Sequence, residues 1–222
     1  KKGKAPAALE NEFYRIAIDA QKGVVTSIFD KRCQRELVDP NAPQRLGEVI
    51  YETFTDRWKI HKLADYKPEN CRFTRRGCTK FKPARGERNE IYDSVKFTAD
   101  FPEAGSSGFS VEIRLMRGRP TIELAYTLRG TKSGYPSSFY VAFPFNGKKL
   151  AFDVPGGLVH PGENQLEGTA SAWNTVQNFA AAEDGDYRIL LFSPTTPFVQ
   201  FGKLFGEYKF DYIAKYDHTY IY

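Results

Sequence analysis

Apolar and polar residues alternate along the middle of the chain in three successive segments, residues 94–101, 109–116 and 121–130. Within each segment every second residue is apolar, and most of the residues between them are charged or carry a hydroxyl. Strict alternation with a period of two is typical of antiparallel strands that bury one face, and Gly and Pro separate the segments as turn residues do. The predicted buried positions are Val95, Phe97, Ala99 and Phe101, then Phe109, Val111, Ile113 and Leu115, then Ile122, Leu124, Tyr126 and Leu128.

Other segments extend the β pattern towards both ends of the chain. Residues 13–19 and 24–30 are strand-like and flank the turn sequence Ala-Gln-Lys-Gly, which predicts a hairpin. Residues 137–145 and 187–194 are apolar on both faces, as expected of strands deep in a sandwich. Residues 172–182 fit both a helix and a strand, and no segment shows a convincing capped helix. The pattern therefore predicts an all-β fold of two packed sheets.

Size and composition allow a substantial hydrophobic core. The chain has 222 residues, of which 41% are hydrophobic and 15% aromatic, enough for one large or two small domains. No apolar run approaches the roughly 20 residues of a membrane helix, and the first residues lack a signal-peptide stretch. We therefore predict no membrane partner, and the compartment stays open. The three cysteines, without CxxC spacing, favour inert thiols, with a Cys71–Cys78 bridge as the minor alternative.

Positive charge is concentrated in residues 57–90, which hold eleven Lys and Arg against four Asp and Glu. Clustered basic side chains could contact nucleic acid, because they displace counterions from phosphates. The stretch has no zinc-finger spacing and no aromatic-basic RNP pattern. We therefore predict no nucleic-acid partner, and we interpret the stretch as a solvated face or as a surface that docks another domain.

The sequence contains no recognisable catalytic or metal-binding motif. His61, His160 and His218 are too far apart in sequence for a zinc site of short spacing, and nucleophile-elbow, metalloprotease, P-loop and dinucleotide motifs are absent. A glycosidase needs two carboxylates that flank the scissile bond. Asp30 and Glu112 are candidates only if folding pairs them, and surface charges are the favoured interpretation. We predict no catalytic residue, no metal ligand and no cofactor-binding residue in this chain.

Several short motifs follow one another along nearly the whole chain. The first is LENEFYRIAIDAQKGVVTSIFDKRCQREL, residues 9–37. The later motifs are FYVAFPF (139–145), PGG (155–157), PGENQLEG (161–168), VQNF (176–179) and PFVQFG (197–202). In this order the motifs resemble the C-terminal β-rich region of α-mannosidases of glycoside hydrolase family 38. The matching positions in the first motif are Leu9, Glu10, Asn11, Phe13, Arg15, Gly23, Ser27, Ile28, Asp30 and Lys31.

The resemblance implies a fold and a parent protein. The fold is a large antiparallel super-sandwich similar to the galactose-mutarotase type, with residues 1–8 as a linker and residues 9–222 as a single β-sandwich domain. The parent is a zinc-dependent retaining α-mannosidase, whose zinc ligands, nucleophile and acid/base lie in an N-terminal catalytic domain. The chain is thus predicted to be a non-catalytic C-terminal domain that is inactive alone, binds no zinc itself, and supports the fold and substrate cleft of that catalytic domain in the same protein.

The last residues, YDHTYIY, lie in an aromatic strand-like run, beyond which the chains of the family continue. We therefore expect a fragment that is truncated at a sheet edge. Unpaired backbone groups of an edge strand favour pairing with another copy, so we also expect self-association of the fragment.

Residues 153–173 form a long stretch rich in Gly and Pro, and long loops in compact domains are often functional. In one interpretation His160, Gln165 and Trp173 contact a mannoside or face the sugar site of the catalytic domain, since Trp stacks on sugar rings and Gln bonds hydroxyls. In the other, Trp173 packs in the sandwich core and His160 caps a turn. Ala172 departs from the family, because many relatives carry an acidic residue there.

Two other functions stay open. The chain could be a stand-alone carbohydrate-binding or mutarotase-like domain, although an epimerase would need a His and a Glu that face each other in a sheet concavity. The basic stretch leaves a nucleic-acid-binding domain as the third hypothesis.

Overall fold

The computed structural model is all-β: the residues that it describes form nineteen strands and no helix. The described strand pairs are antiparallel. These observations confirm the predicted all-β antiparallel fold class. In the described part of the chain, no helix is long and apolar enough to cross a membrane. The structure describes residues 2–3, 7–54, 73–101, 108–130, 137–166, 172–202 and 219–221.

The strands follow one another through the described residues. They are β1 (Lys2–Gly3), β2 (Ala8–Glu10), β3 (Tyr14–Asp19), β4 (Val24–Asp30), β5 (Arg35–Glu36), β6 (Val49–Phe54), β7 (Phe73–Gly77), β8 (Thr79–Arg88), β9 (Tyr92–Asp100), β10 (Gly108–Met116), β11 (Ile122–Arg129), β12 (Ser137–Phe143), β13 (Lys149–Val154), β14 (Gly157–Val159), β15 (Trp173–Thr175), β16 (Phe179–Asp184), β17 (Tyr187–Phe192), β18 (Phe198–Phe201) and β19 (Thr219–Ile221).

The chain divides into two compact units. Unit 1 comprises Lys1–Val49 and Arg76–Gly134, and unit 2 comprises Ile50–Arg75 and Tyr135–Tyr222. Within the predicted linker 1–8, β1 pairs with β8 and Ala8 begins β2. The division into this linker and one domain stays a prediction.

The three alternating segments lie side by side in the five-stranded sheet of unit 1, with the order β1-β8-β9-β10-β11. Ser110 on β10 is paired with Thr98 on β9 and with Thr127 on β11, so the polar residues of all three strands share one face. On the other face Val95 and Phe97 are completely buried. The predicted alternation is confirmed, although the apolar residues of β11 are only half-buried because β11 is an edge strand.

The predicted hairpin is formed by β3 and β4 in the second sheet of unit 1, which has the order β2-β3-β4-β5. Its turn depends on Gly23, which has a φ of +62°, in the left-handed region that favours glycine. A Cβ at this position would also collide with the ring of Phe81. The Asp19 carboxylate accepts a hydrogen bond from the Gln21 N–H at 2.9 Å.

Unit 2 contains a four-stranded sheet with the order β14-β13-β16-β17 and a six-stranded sheet with the order β15-β18-β19-β12-β6-β7. Strands of both sheets contribute to one hydrophobic core, in which the rings of Phe152 and Phe201 stack with centroids 5.7 Å apart. The buried members of this core are Leu150, Phe152, Val176, Ala180, Ala182, Val199 and Phe201.

Two segments that are apolar on both faces of the predicted strands have different surroundings. β12 lies inside the six-stranded sheet, where Tyr140 is completely buried and Phe139 is half-buried. β17 is an edge strand, and its Leu190 and Phe192 are 44% and 59% exposed. The prediction of burial on both faces is therefore wrong for β17. The segment 172–182 forms β15 and β16, so its helical alternative is also wrong.

The end of the chain differs from the expectation of an edge strand. β19 pairs with β18 on one side and with β12 on the other, so it lies inside the sheet. The predicted edge position is wrong for Thr219–Ile221, because both rows of its backbone groups face a neighbouring strand. Residues 203–218 and residue 222 lie outside the described residues. Self-association stays a prediction.

Candidate functional site

The Gly- and Pro-rich loop after β13 is built from two successive Pro-Gly turns. Pro155 and Gly156 connect β13 to β14. Val154, the last residue of β13, pairs across this turn with Gly157, the first residue of β14. Gly156 has a φ of +87°. Type II turns favour Pro at the second position and need positive φ at the third, which Gly supplies without strain. The PGG motif is therefore explained by its turn geometry.

The second Pro-Gly pair forms the next turn in the same way. The Glu163 N–H donates to the His160 carbonyl at 3.1 Å, and Gly162 between them has a φ of +77°. The Asn164 side chain closes the turn, because its carbonyl oxygen accepts the His160 N–H at 2.8 Å. Residues 155–166 thus form a compact, hydrogen-bonded loop, while residues 167–171 lie outside the described residues.

Two of the predicted sugar-contact residues use their side chains to hold this loop. His160 Nδ1 is 3.0 Å from the Leu150 carbonyl oxygen, which can only accept, so Nδ1 carries the proton. Gln165 Oε1 accepts the Gly162 N–H at 2.9 Å, and Gln165 Nε2 donates to Asn174 Oδ1 at 2.8 Å. Gln165 therefore joins the loop to β15.

The third predicted contact residue, Trp173, lies on the surface of β15. Its side chain is 41% exposed, so the alternative that it fills the core is wrong. Successive side chains of a strand point to opposite faces, so Trp173 faces away from Asn174, to which Gln165 binds. The structure thus places Gln165 and Trp173 on opposite faces of β15. A role of His160, Gln165 and Trp173 in carbohydrate contact stays a prediction.

Sequence reasoning missed an aromatic residue that lies diagonally across the sheet from Trp173. β15 pairs with β18 in the register Trp173 to Gln200 and Thr175 to Phe198, so Trp173 and Phe198 are diagonal neighbours on one face. Phe198 is 55% exposed. The PFVQFG motif contains this residue, but only the strand register brings it to Trp173.

The buried carboxylate of Asp153, at the start of the loop, organises the VQNF motif. Asp153 Oδ1 accepts the N–H groups of Asn178 and Phe179 at 2.8 and 2.9 Å, and Oδ2 accepts the Asn178 side-chain amide at 2.6 Å. Burial opposes the negative charge, but these N–H groups outweigh it and lower the pKa of Asp153 below its usual value. Asp153 therefore fixes the start of β16 against β13.

The motif positions at the start of the chain form a second hydrogen-bonded network, in unit 1. Asn11 Oδ1 accepts the N–H groups of Phe13 and Tyr14 at 2.9 and 2.7 Å, and Asn11 Nδ2 donates to the Met116 carbonyl at 2.7 Å. Lys31 Nζ lies 2.7 Å from Glu10 Oε1 and lowers the pKa of this carboxyl. These residues position strands, which is a structural role.

Asp30 and Glu112 are the two carboxylates that the sequence allowed as catalytic candidates. Both are paired with arginine. Asp30 is completely buried, and its two oxygens accept from Arg32 Nη2 and Nε at 2.6 and 3.0 Å. Glu112 Oε2 accepts from Arg114 at 2.7 Å. Burial opposes the charge of Glu112, but the bond to Arg114 outweighs it and lowers the pKa of Glu112. The expectation that these are exposed surface charges is wrong for Asp30.

The described part of the basic stretch, residues 73–90, is partly neutralised by carboxylates. Arg75 Nε lies 2.8 Å from the buried Glu52. Asp93 accepts from Arg117 at 2.6 Å and from Arg88 at 3.2 Å. Burial opposes the charge of Asp93, but the bonds to these two arginines lower its pKa. Residues 57–72, including His61 and Cys71, lie outside the described residues.

The described residues contain neither a cluster of metal-binding side chains nor a reactive thiol. Among them, no three His, Cys, Asp or Glu side chains come together in a group that could hold a metal ion. His218 is not among the described residues. Cys33 and Cys78 are free thiols, and burial raises the pKa of Cys78 to about 12. A thiol with such a pKa is a poor nucleophile near neutral pH.

Residues 9–195 match the family described as Glycosyl hydrolases family 38 C-terminal domain. The chain belongs to this family. The match includes both motif networks, the one around Asn11 and the one around Asp153. No curated protein matches the chain.

The fold is similar to that of a solved α-mannosidase from Enterococcus faecalis V583, with a TM-score of 0.64 and 13% sequence identity. The similarity covers 100% of this chain and 26% of that protein, so this chain spans about a quarter of the α-mannosidase's length. At this identity the likeness shows the fold alone.

Proposed function

We propose that the chain is the non-catalytic C-terminal domain of a zinc-dependent retaining α-mannosidase, and that it supports the fold and the substrate cleft of an N-terminal catalytic domain. The observation that carries this proposal is the family match over residues 9–195. The similarity of the whole chain to 26% of an α-mannosidase supports it, because it leaves most of such an enzyme to other regions.

The surroundings of the carboxylates support a structural role for this domain. Retaining glycosidases use two carboxyl groups about 5–5.5 Å apart that flank the sugar bond. Here the carboxylates of Asp30 and Glu112 are bound by arginines, and that of Asp153 is bound by amide N–H groups. We also propose that the zinc of the parent enzyme is held by its catalytic domain.

The exposed apolar side chains of unit 2 support the proposed contact with a catalytic domain. Leu190 and Phe192 project from the edge strand β17, and Trp173 and Phe198 share one face of the six-stranded sheet. Exposed apolar patches often mark interaction sites, and aromatic residues are enriched in the cores of interfaces.

The first test is to assay the isolated chain with an aryl α-mannoside. We expect no turnover above the blank. Turnover that survives repurification and chelation, and that disappears when one of the chain's own carboxylates is replaced, would contradict the proposal.

The second test uses the whole parent enzyme. The gene of this enzyme should encode paired His and Asp zinc ligands upstream of the domain. In the whole enzyme, the variant Phe192→Ser should have a lower melting temperature than the wild type. The matched control is Ile91→Ser, which removes an apolar side chain of unit 1 that is 62% exposed and should have little effect. If both variants behave alike, β17 does not contact the catalytic domain.

A second candidate function, a carbohydrate-binding domain, is favoured by the exposed aromatic pair Trp173 and Phe198. Titration of the isolated chain with mannobiose, followed by calorimetry, distinguishes the two functions. Binding that is lost in Trp173→Ala and kept in Phe192→Ser would favour the carbohydrate-binding function.

A further inference from the structure

A groove of about 350 Å³ crosses one end of the polar face of the five-stranded sheet in unit 1. Four cationic side chains line it, from three different strands, and Asp100 is the one carboxylate among the described residues that line it. Asp100 lies 3.8 Å from one of the lysines, and both of these side chains are largely exposed. Among the described residues that line the groove, cationic side chains therefore outnumber carboxylates; they are Lys80, Lys82, Lys96 and Arg129.

The strand register places three hydroxyl groups in a row along the floor of this groove. Thr98, Ser110 and Thr127 lie on three adjacent strands at the same level, and Lys82 continues the row on β8. Adjacent strands are about 4.8 Å apart, so the three hydroxyls span roughly 10 Å. Each hydroxyl can donate and accept, which suits the hydroxyls of a sugar and the oxygens of a phosphate.

The other end of the same sheet face is different, because its charges are paired. Arg114 lies 2.7 Å from Glu112 and 3.5 Å from Glu123, and the Ser94 hydroxyl donates to Glu112 at 3.1 Å. This end carries two carboxylates around one guanidinium. An extended polyanion such as duplex DNA would also lie over these two carboxylates, which would repel it. A small anion would fit within the basic end.

Two backbone features shape the basic end. Lys80 has a φ of +53°, which is uncommon for a residue other than glycine, and the pairing of β8 with β9 is irregular between Thr79 and Lys82. Irregularities of this kind redirect side chains and often occur next to functional sites. Gly108 leaves the groove open, since a Cβ added there would meet no atom within 4 Å.

We propose that this groove binds a phosphorylated sugar, whose phosphate contacts the lysines and Arg129 and whose ring hydroxyls contact Thr98, Ser110 and Thr127. Lysine ammonium groups bind phosphate as point charges, and arginine adds a planar donor pair. The volume lies at the lower end of the range for small-molecule sites, which fits one sugar unit. The sugar part of the proposal rests on the proposed function, while the anion part rests on the charges alone.

The test is calorimetric titration of the whole 222-residue chain at physiological salt with mannose 6-phosphate, mannose, inorganic phosphate and a short DNA duplex. We expect mannose 6-phosphate to bind about tenfold or more tightly than the other three ligands. Equal affinity for inorganic phosphate would overturn the sugar part. Tighter binding of the duplex, or no binding of mannose 6-phosphate, would overturn the proposal.

Two variants distinguish the groove from general electrostatic attraction. The double variant Lys82→Gln, Lys96→Gln should weaken binding about tenfold. The matched control is Lys148→Gln, Lys149→Gln, which removes the same charge from exposed lysines of unit 2 and should leave the affinity unchanged. Equal weakening in both double variants would overturn the proposal.

A steric variant tests the groove without a change of charge. Gly108→Val should fill the open space and abolish binding, while the β-branched residue suits the start of β10 and keeps the melting temperature. Unchanged affinity in this variant would overturn the proposal. A parent enzyme without mannosidase activity would contradict the proposed function and leave phosphosugar binding intact, so the two proposals fail separately.

Discussion

Each unit holds a buried aspartate that ends or nearly ends a strand, Asp30 in unit 1 and Asp153 in unit 2, and different groups stabilise the two charges. Asp30 accepts from the guanidinium of Arg32 and also from the Arg32 backbone N–H at 2.9 Å, and the guanidinium lies 5.5 Å from the ring centroids of Phe13 and Tyr14. Asp153 accepts backbone and side-chain N–H groups at the start of β16.

The difference shows two ways in which a sequence can keep a carboxylate charged inside a sandwich. A counter-charge needs one long side chain at the right spacing, here two residues after Asp30. Amide donors need a precise backbone turn, here the one at residues 177–179, and the same bonds then define that turn.

The largest effect is expected for Arg32→Ala, because it leaves the charge of Asp30 buried without the guanidinium. We expect the free energy of unfolding, measured in urea, to fall by about 3 kcal/mol. Lys22→Ala, which removes an exposed cation of unit 1, should change it by less than about 0.5 kcal/mol. The double variant Asp30→Asn, Arg32→Ala should recover part of the loss. If it is less stable than Arg32→Ala, the counter-charge is not the stabilising element.

A smaller loss is expected for Asp153→Ala, which leaves the N–H groups of Asn178 and Phe179 without their acceptor. We expect a decrease of about 2 kcal/mol in the free energy of unfolding. Asp186→Ala, at the exposed β16–β17 turn, is the control and should be close to neutral. A loss at Asp186 as large as that at Asp153 would contradict the structural role given to the Asp153 bonds.

The pH dependence of stability should distinguish Asp153 from its amide variant. The pKa of Asp153 is lowered in the folded state, so its contribution is present above the unfolded pKa of about 3.9 and is lost as pH falls through the folded pKa. The stability difference between the wild type and Asp153→Asn should therefore be constant from about pH 7 to pH 5 and shrink below about pH 4. Urea unfolding at four pH values measures it. If this stability difference grows as the pH falls, the pKa of Asp153 is not lowered in the folded state.

The smallest effect is expected for Gln165→Ala, which cuts the neutral link between the loop and β15. We expect a loss of about 1 kcal/mol or less, together with faster hydrogen exchange of the Gly162 amide. Glu163→Ala, at an exposed position of the same turn, should leave this exchange unchanged. Unaltered exchange in Gln165→Ala would mean that the loop is held by other contacts.

The turns and the alternating strands could be predicted because they depend on local properties. The period of two in β9 and β10 determines which residues share a face, wherever the sheet lies in the molecule. Pro155-Gly156 and Pro161-Gly162 encode their turns through the fixed φ of proline and the positive φ of glycine. The hairpin of β3 and β4 follows from Gly23 in the same way.

The candidate site was predictable only in part. The sequence indicates His160 and Gln165 because they lie in a stretch rich in Gly and Pro, but only the folded loop brings them to their partners, the Leu150 carbonyl and Asn174. The role of Asp153 could not be predicted from its neighbours in sequence, since its hydrogen-bond partners follow it by 25 residues or more. The exposure of Trp173 likewise depends on which residues pack against its face of β15 in the folded chain.

By itself the sequence determined the all-β class, the buried face of each alternating strand, the Pro-Gly turns and, through its ordered motifs, the family. The tertiary structure decided which strands lie at sheet edges, which is why β17 is exposed and β19 is paired on both sides. It also decided the register that gathers Lys82, Thr98, Ser110 and Thr127 into one row. Edge position and register depend on pairing between residues far apart in the chain, and no local periodicity records which distant strand will be the neighbour.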